Sequence, residues 1–433
     1  MTNAEISQRD QNVLWHPCTQ MKDHETFPII PIARGQGVYL EDFEGKKYID
    51  AISSWWVNLF GHANSTINNK VKEQLESLEH VILAGFTHEG IVRLSERLVT
   101  LAPDGLSRCF YADNGSSAIE VALKMSYHAH KNNGANKALF VSLSNSYHGE
   151  TLGALSIGDV ALYKETYEPL LIRSVQTPVP HNQSIEAALE ALNEYEVLLK
   201  EKSDEIAALI VEPLVQGAGG MVMYHPYFLT QAKALSARYG VHFIADEIMV
   251  GFGRTGSMFA CEQAGITPDF LILSKGLTGG YLPLSVVMTT ENIYNTFYCD
   301  YDPYRSFLHS HSYTGNALAC AAANATLDIF ENNNVIETNK TLSALITKEL
   351  LRFEKRIDVK ETRQCGMIGV IELDGFDPIE RIGVKIHRHC LALGVLIRPL
   401  GSVVYVMPPY IITEDELITV FDAIESALNE HSV

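Results

Sequence analysis

The stretch "SRCFYADNGSSAIEVALKMSYHAHKNNGANKALFVSLS", residues 107–144, changes its hydrophobic period twice. Residues 107–113 read as a strand, 116–130 as a helix and 137–144 as a second strand. In the helix, Ala118, Ala122, Met125 and Ala129 recur at i, i+4, i+7 and i+11 and share one face. The alternation continues through "DEIAALIVEP" (204–213), a helix end running into a strand, and through the strands "VHFIADE" (241–247) and "DFLILS" (269–274). This order predicts an α/β fold, a mostly parallel sheet flanked by helices on both faces. Ligands of such sheets bind beyond the carboxyl ends of the strands.

After Phe330 the texture changes. "ENNNVIETNK" (331–340) reads as a polar connection, and the Asn-rich stretches near Asn132 and Asn332 as loops. "MIGVIEL", "VLIRPL" and "VVYVMPP" then read as strand-like pieces before a last amphipathic helix. That helix opens with a capping box, Thr413 to Glu416, and stripes Leu417, Val420, Phe421, Ile424 and Leu428 on one side. We expect a large ligand-binding domain over 62–330, a smaller α+β domain over 331–433, and an N-terminal segment, 1–61, joining the smaller one.

Composition bounds the function. The 433 residues are 46% hydrophobic and 20% charged, ordinary for a globular protein. Fifty-two acidic against 33 basic residues leave a formal charge of −19, which argues against a nucleic-acid surface. The seven cysteines are scattered and never spaced CxxC, so neither a zinc ribbon nor a disulfide framework is suggested and a reducing compartment is expected. No apolar run approaches the ~18 residues of a membrane span and the N-terminus lacks a signal-peptide core, so a cytoplasmic location is expected. The histidine pairs His128/His130, His309/His311 and His387/His389 have no carboxylate or cysteine cluster beside them in sequence, and no metal is expected.

Strand ends supply the candidate site. Lys275 closes "DFLILSK" beside Gly276, Gly279 and Gly280; it is either a solvated terminus or an amine held for chemistry where glycines admit a ligand. Asp246 closes "VHFIAD" and either caps the next segment or faces a cation in the crevice. Asp113, Asn114, Gly115 and Ser116 lie at a helix start, a plain cap or a phosphate-binding turn. "GFGRTG" (251–256) formally matches a dinucleotide fingerprint, but it trails the strand ending in Asp246 instead of opening the first βα unit. A strand-end lysine, an aspartate able to keep a pyridine nitrogen protonated, a phosphate turn and an aromatic at Tyr147 are together what pyridoxal phosphate requires. Arg398 in "LIRPL" offers a fork for a carboxylate or a plain strand-end charge. The adjacent Trp55 and Trp56 are more often a core or interface feature than a pocket wall.

The blocks "DNGSSAIEVALKM", "YHGET", "VEPLVQGAGGM", "ADEIMVGFGRTGSMFACE", "PDFLILSKGLTGG" and "TGNALACAAANATL" resemble, in order, the class III, fold-type-I pyridoxal-phosphate aminotransferases. The resemblance implies that Lys275 carries the cofactor aldehyde, Asp246 pairs with the ring nitrogen, Tyr147 stacks on the ring, and Gly115 and Ser116 bind the phosphate. Glu212 and Arg254 match an acid and an arginine that shape the site. In "HSHSYTGN", Ser312 stands where the family usually has a threonine that reaches the neighbouring subunit's cofactor phosphate, which implies a homodimer. His311, expected with Ser312 at the cofactor, and Ser310, expected at the substrate, stand where proline and glycine are usual.

"LWHPCTQM", "ISSWW" and "LIRPLGSVVYVMPPYI" further resemble the biotin-pathway branch of that family. The branch implies S-adenosyl-L-methionine as amino donor and 8-amino-7-oxononanoate as acceptor. Trp55 and Trp56 would line the channel, Arg398 would take the acceptor's carboxylate, and Tyr405 would lie near by. Lysine as donor, or another ω-amino-acid or diamine aminotransferase of the class, are the alternatives. Cys18 departs from a family tyrosine, so either another group supplies the missing hydroxyl or substrate affinity and donor preference differ.

Overall fold

The computed structural model describes residues 1–431. Its centre is a seven-stranded sheet in the order Leu106–Ala112, Ser285–Thr290, Phe270–Leu273, His242–Asp246, Ile206–Val211, Leu139–Leu143, Ser174–Thr177. Ser285–Thr290 runs antiparallel to both neighbours, and every other pairing among the remaining six is parallel. Ile206–Val211 and Phe270–Leu273 are buried at every position, which is why they read as unbroken apolar runs. Alternate residues serve opposite faces. Phe140, Ile210, Ile244, Phe270 and Ile272 pack with Ala118, Ala122, Met125 and Ala129 of the helix Gly115–Asn132. Val141, Leu209, Phe243, Leu271 and Leu273 join the larger core on the other side.

A four-stranded sheet joins the two ends of the chain. Ile32–Gln36, Tyr39–Asp42 and Lys47–Asp50 pair antiparallel in succession, and Val395–Leu396 adds to Lys47–Asp50 in parallel, with Ile49 opposite Val395. We propose on this pairing that segments 1–61 and 331–433 act as one smaller domain beside 62–330. A three-stranded antiparallel sheet, Val359–Cys365, Ile368–Leu373 and Val403–Val406, completes the C-terminal part. The last helix, Glu414–His431, is capped reciprocally: Thr413 N donates to Glu416 Oε2 (2.8 Å) and Glu416 N to Thr413 Oγ1 (3.2 Å).

One expectation fails. "ENNNVIETNK" is not a connection: only Asn333 and Asn334 separate the helices Ala317–Asn332 and Val335–Leu350. Val335, Asn339, Leu342 and Ile346 form a buried stripe at helical spacing, so tertiary packing overrides the polar composition. Among the described residues no helix is long and apolar enough to cross a membrane.

Candidate active site

Five strand ends converge on one cavity of about 250 Å³. Gly115 and Ser116 follow Leu106–Ala112, Tyr147 follows Leu139–Leu143, Glu212 follows Ile206–Val211, Asp246 ends His242–Asp246, and Lys275 follows Phe270–Leu273. Parallel neighbours present their carboxyl ends on the same side, so residues far apart in sequence become one wall.

Lys275 lines this cavity with its amine deep in the protein and its backbone at a φ of +45°. Burial pushes the amine down to about 8, against the opposing pull of the Asp246 and Glu212 carboxylates. Its Nζ lies 4.5 Å from the Trp56 ring centroid. Asp246 is held by two donors: His148 Nδ1 at 2.8 Å from Oδ2 and Ile248 N at 3.1 Å from Oδ1. Glu212 accepts from Tyr147 N (2.9 Å) and Gly217 N (2.8 Å), while burial raises its carboxyl to about 7.

The turn at Gly115 suits an anion. Asn114 caps the helix, its Oδ1 accepting from Ser117 N at 2.9 Å, and the first N–H groups stay open. A Cβ on Gly115 would meet Ile248 Cδ1 at 2.8 Å, and one on Gly149, at φ +120°, would fall 2.4 Å from Ser116 Oγ. Ser116 is oriented by Thr151, whose N donates to its Oγ at 3.1 Å.

A second device shapes the cavity wall. Ser53, Ser54, Trp55 and Trp56 have φ values of +53°, +47°, +71° and +74°, a turn wound left-handed without a glycine. Such a conformation costs roughly 1–2 kcal/mol per residue. Fully buried Asp50 holds it: Ser54 N (2.9 Å) and Ser54 Oγ (2.6 Å) donate to its carboxylate, and His62 Nε2 lies 3.0 Å away. Ser53 Oγ donates to Met407 O (2.7 Å) and Trp56 Nε1 to the Tyr405 hydroxyl (3.0 Å). Asp50→Ala is expected to lower stability by roughly 3 kcal/mol, read by urea denaturation, because charge-assisted hydrogen bonds are lost and the turn is released. A loss under about 0.5 kcal/mol would show that the turn holds itself.

The remaining candidates are placed as follows. Trp56 lines the cavity, whereas Trp55 is 39% exposed and carries the Arg398 guanidinium 4.9 Å from its ring centroid. Arg398 Nη2 donates to Cys18 O at 3.0 Å, and no carboxylate pairs with it among the described residues. Tyr405 is buried behind Trp56. Ser310, His311 and Ser312 do not line their own chain's cavity; His311 Nε2 lies 3.0 Å from Asp113 Oδ1, and Ser312 O lies 2.7 Å from His80 Nε2.

"GFGRTG" opens no helix. Arg254 is 1% exposed and donates to Pro408 O (2.7 Å) and Asn58 O (3.0 Å), beneath the Tyr410 ring. The sequence showed no acid beside His389, yet the fold brings Glu430 and His431 within reach of it. Both His389 ring nitrogens are already engaged, one by Glu430 (2.9 Å) and one by Ser426 (3.0 Å). Asp50, His148, Glu150 and Tyr163 were missed. His148 and Glu150, both inside "YHGET", had a sequence signal; Asp50 and Tyr163 become neighbours through the fold.

The family profile described as aminotransferase class-III matches residues 19–428. The chain belongs to the class-III aminotransferases. It is 55% identical, over 94% of both chains, to the adenosylmethionine-8-amino-7-oxononanoate aminotransferase of Helicobacter pylori. It is 40% identical to the enzyme of that name from Aquifex aeolicus, over 97% of this chain and 96% of that one. Among solved structures, the enzyme of that name from Methanocaldococcus jannaschii superposes with a TM-score of 0.95 at 36% identity, covering 99% of this chain and 100% of the other. An (S)-enantioselective omega-transaminase from Thermomicrobium roseum superposes with a TM-score of 0.94 at 28% identity, covering 99% of each. Class-III aminotransferases use pyridoxal phosphate, and the cavity fits it: a desolvated lysine, a buried aspartate and a glycine cradle that a Cβ would fill.

Proposed function

We propose that this aminotransferase moves the amino group of S-adenosyl-L-methionine to 8-amino-7-oxononanoate, giving 7,8-diaminononanoate for biotin synthesis. The observation that carries the reading is the order of groups leading out of the cavity. Lys275 lies within it, and Tyr147, Tyr163, Cys18 and Arg398 follow in contact outward. An acceptor with its ketone at one end and its carboxylate at the other matches a buried amine at one end of this path and, at the other, a guanidinium with no carboxylate partner among the described residues. Identity of 55% to a relative bearing that activity's name supports it.

When bound, the cofactor supplies an aldehyde for amino exchange and a ring that withdraws electrons. Lys275 would carry it and, once displaced, Nζ would take and return the proton at the substrate carbon. Asp246, fixed by His148 and the Ile248 amide, would hold the ring nitrogen protonated. Tyr147 would stack on the ring, its hydroxyl donating to Glu150 Oε1 at 3.0 Å. Gly115 and Ser116 would hold the phosphate at the open helix start.

The assembly proposed is a homodimer that shares its sites. The loops carrying His80 and Tyr313 meet ring to ring, and Ile82, Phe86, Leu308 and Tyr313 stay exposed, an apolar surface that a second copy would cover. Ser312, absent from its own cavity's lining, would reach the partner's phosphate, with Ser310 and His311 beside it. Seven free cysteines and no disulfide among the described residues support the cytoplasm as location.

The test is a half-reaction. Cofactor-loaded protein mixed with S-adenosyl-L-methionine should lose its near-violet absorption, and 8-amino-7-oxononanoate should restore it with formation of the diamine. Bleaching by lysine alone would move the donor assignment, and bleaching by neither would remove the branch assignment.

A further inference from the structure

Cys18, a tyrosine in the branch resembled, leaves a hydroxyl unaccounted for, and the fold puts another close by. Tyr163 lies on the short helix Ala161–Lys164, 145 residues away in sequence, with its hydroxyl 3.9 Å from Cys18 Sγ. We propose that the Tyr163 hydroxyl joins Arg398 in binding the carboxylate end of the acceptor, making Tyr163 a specificity-determining residue. The inference rests on the functional reading above and deepens it.

Four observations carry it. First, Tyr163 continues the cavity outward, its ring meeting that of Tyr147 edge-on with centroids 5.6 Å apart. Second, Cys18 bridges it to Arg398: the thiol faces the phenol, and the Cys18 carbonyl accepts from Arg398 Nη2 at 3.0 Å. Third, the phenol's hydrogen-bonding capacity is almost unspent, because a thiol at 3.9 Å is a weak partner for a group able to donate one bond and accept others. Fourth, the segment is fixed. Lys164 Nζ donates to Ser156 O (3.0 Å) and Gly158 O (2.7 Å), and Asp159 Oδ2 accepts from Asn145 N (2.8 Å).

A carboxylate has lone pairs for about four donors. Arg398 spends one N–H on the Cys18 carbonyl and stacks on Trp55, so a carboxylate reaching it has room for a further donor. A neutral phenol meets that need without adding charge. Burial pushes the Tyr163 hydroxyl up to about 12, so it stays a donor at neutral pH.

Tyr163→Phe removes only the oxygen and keeps the ring against Tyr147. The expected result is a KM for 8-amino-7-oxononanoate raised about tenfold or more, with kcat and the rate of bleaching by S-adenosyl-L-methionine within about twofold of wild type. The methyl ester of the acceptor, whose carbonyl accepts more weakly than a carboxylate, should lose clearly less than the acid on the substitution. Cys18→Tyr in the Tyr163→Phe background should recover most of the lost affinity, since it returns a hydroxyl to the same place. A KM within twofold of wild type, an ester penalised as much as the acid, or equal loss in both half-reactions would overturn the proposal, the last by assigning Tyr163 a structural role. Wild-type protein that ignores the acceptor altogether is a separate result, and it would remove the functional reading and this inference together.

Discussion

Lys275→Ala is expected to lose transamination by roughly 10⁴-fold or more and to lose the near-violet absorption of the cofactor-loaded protein. The variant removes the amine that lines the cavity at 4.5 Å from the Trp56 ring, and no other lysine lines that cavity. Far-ultraviolet circular dichroism should be unchanged, because the amine makes no hydrogen bond that secondary structure depends on. Retained absorption in the variant would place the covalent link elsewhere. The same group sets a pH dependence. Only the uncharged amine attacks an aldehyde, and burial brings its midpoint down to about 8. Capture of pyridoxal phosphate by cofactor-free protein should therefore climb about tenfold per pH unit below that value and level off above it. For stability the sign is that of a depressed base: the contribution is full above the unfolded value of 10.5 and is lost as pH falls through about 8. Glu212 and Glu247, raised to about 7 by burial, act oppositely; theirs is full below 4.5 and is lost as pH rises through about 7.

Asp246→Ala is expected to cut kcat by roughly 10³-fold while Lys275 still holds the cofactor. The carboxylate is 5% exposed and lies in the same cavity as the lysine, where a fixed negative charge acts with little screening. Its loss also strands His148, whose Nδ1 has Asp246 as partner and whose Nε2 is buried without one. Stability should fall with activity, by roughly 1–3 kcal/mol. Asp246→Asn keeps a hydrogen-bond acceptor without the charge and separates the two effects: it should recover more stability than turnover. Turnover within tenfold of wild type in either variant would sink the assigned role.

The strands Phe270–Leu273 and Ile206–Val211 were legible because a strand buried on both faces must be apolar at every position. The helix Gly115–Asn132 was legible from the spacing of Ala118, Ala122, Met125 and Ala129. The start of Val335–Leu350 was not, since the three asparagines before it and Asn339 within it carry a loop's composition and only packing decides for helix. Lys275 and Asp246 stood out as charges at the ends of apolar strands. Trp55 and Trp56 entered through family resemblance, because nothing local in "SSWW" announces a left-handed turn; the carboxylate that holds it comes from Asp50, and the partner of Trp56 from Tyr405.

By itself the amino-acid sequence determined the alternation of strands and helices, and with it the side of the sheet on which a ligand site must lie, because hydrophobic period and strand-end chemistry are local properties. Which side chains meet was decided only by the tertiary structure. Cys18, Tyr163 and Arg398 come from three distant parts of the chain, and Val395–Leu396 reaches Lys47–Asp50 across almost the whole of it. Contacts of that range depend on how the sheets and helices pack, which no window of sequence contains.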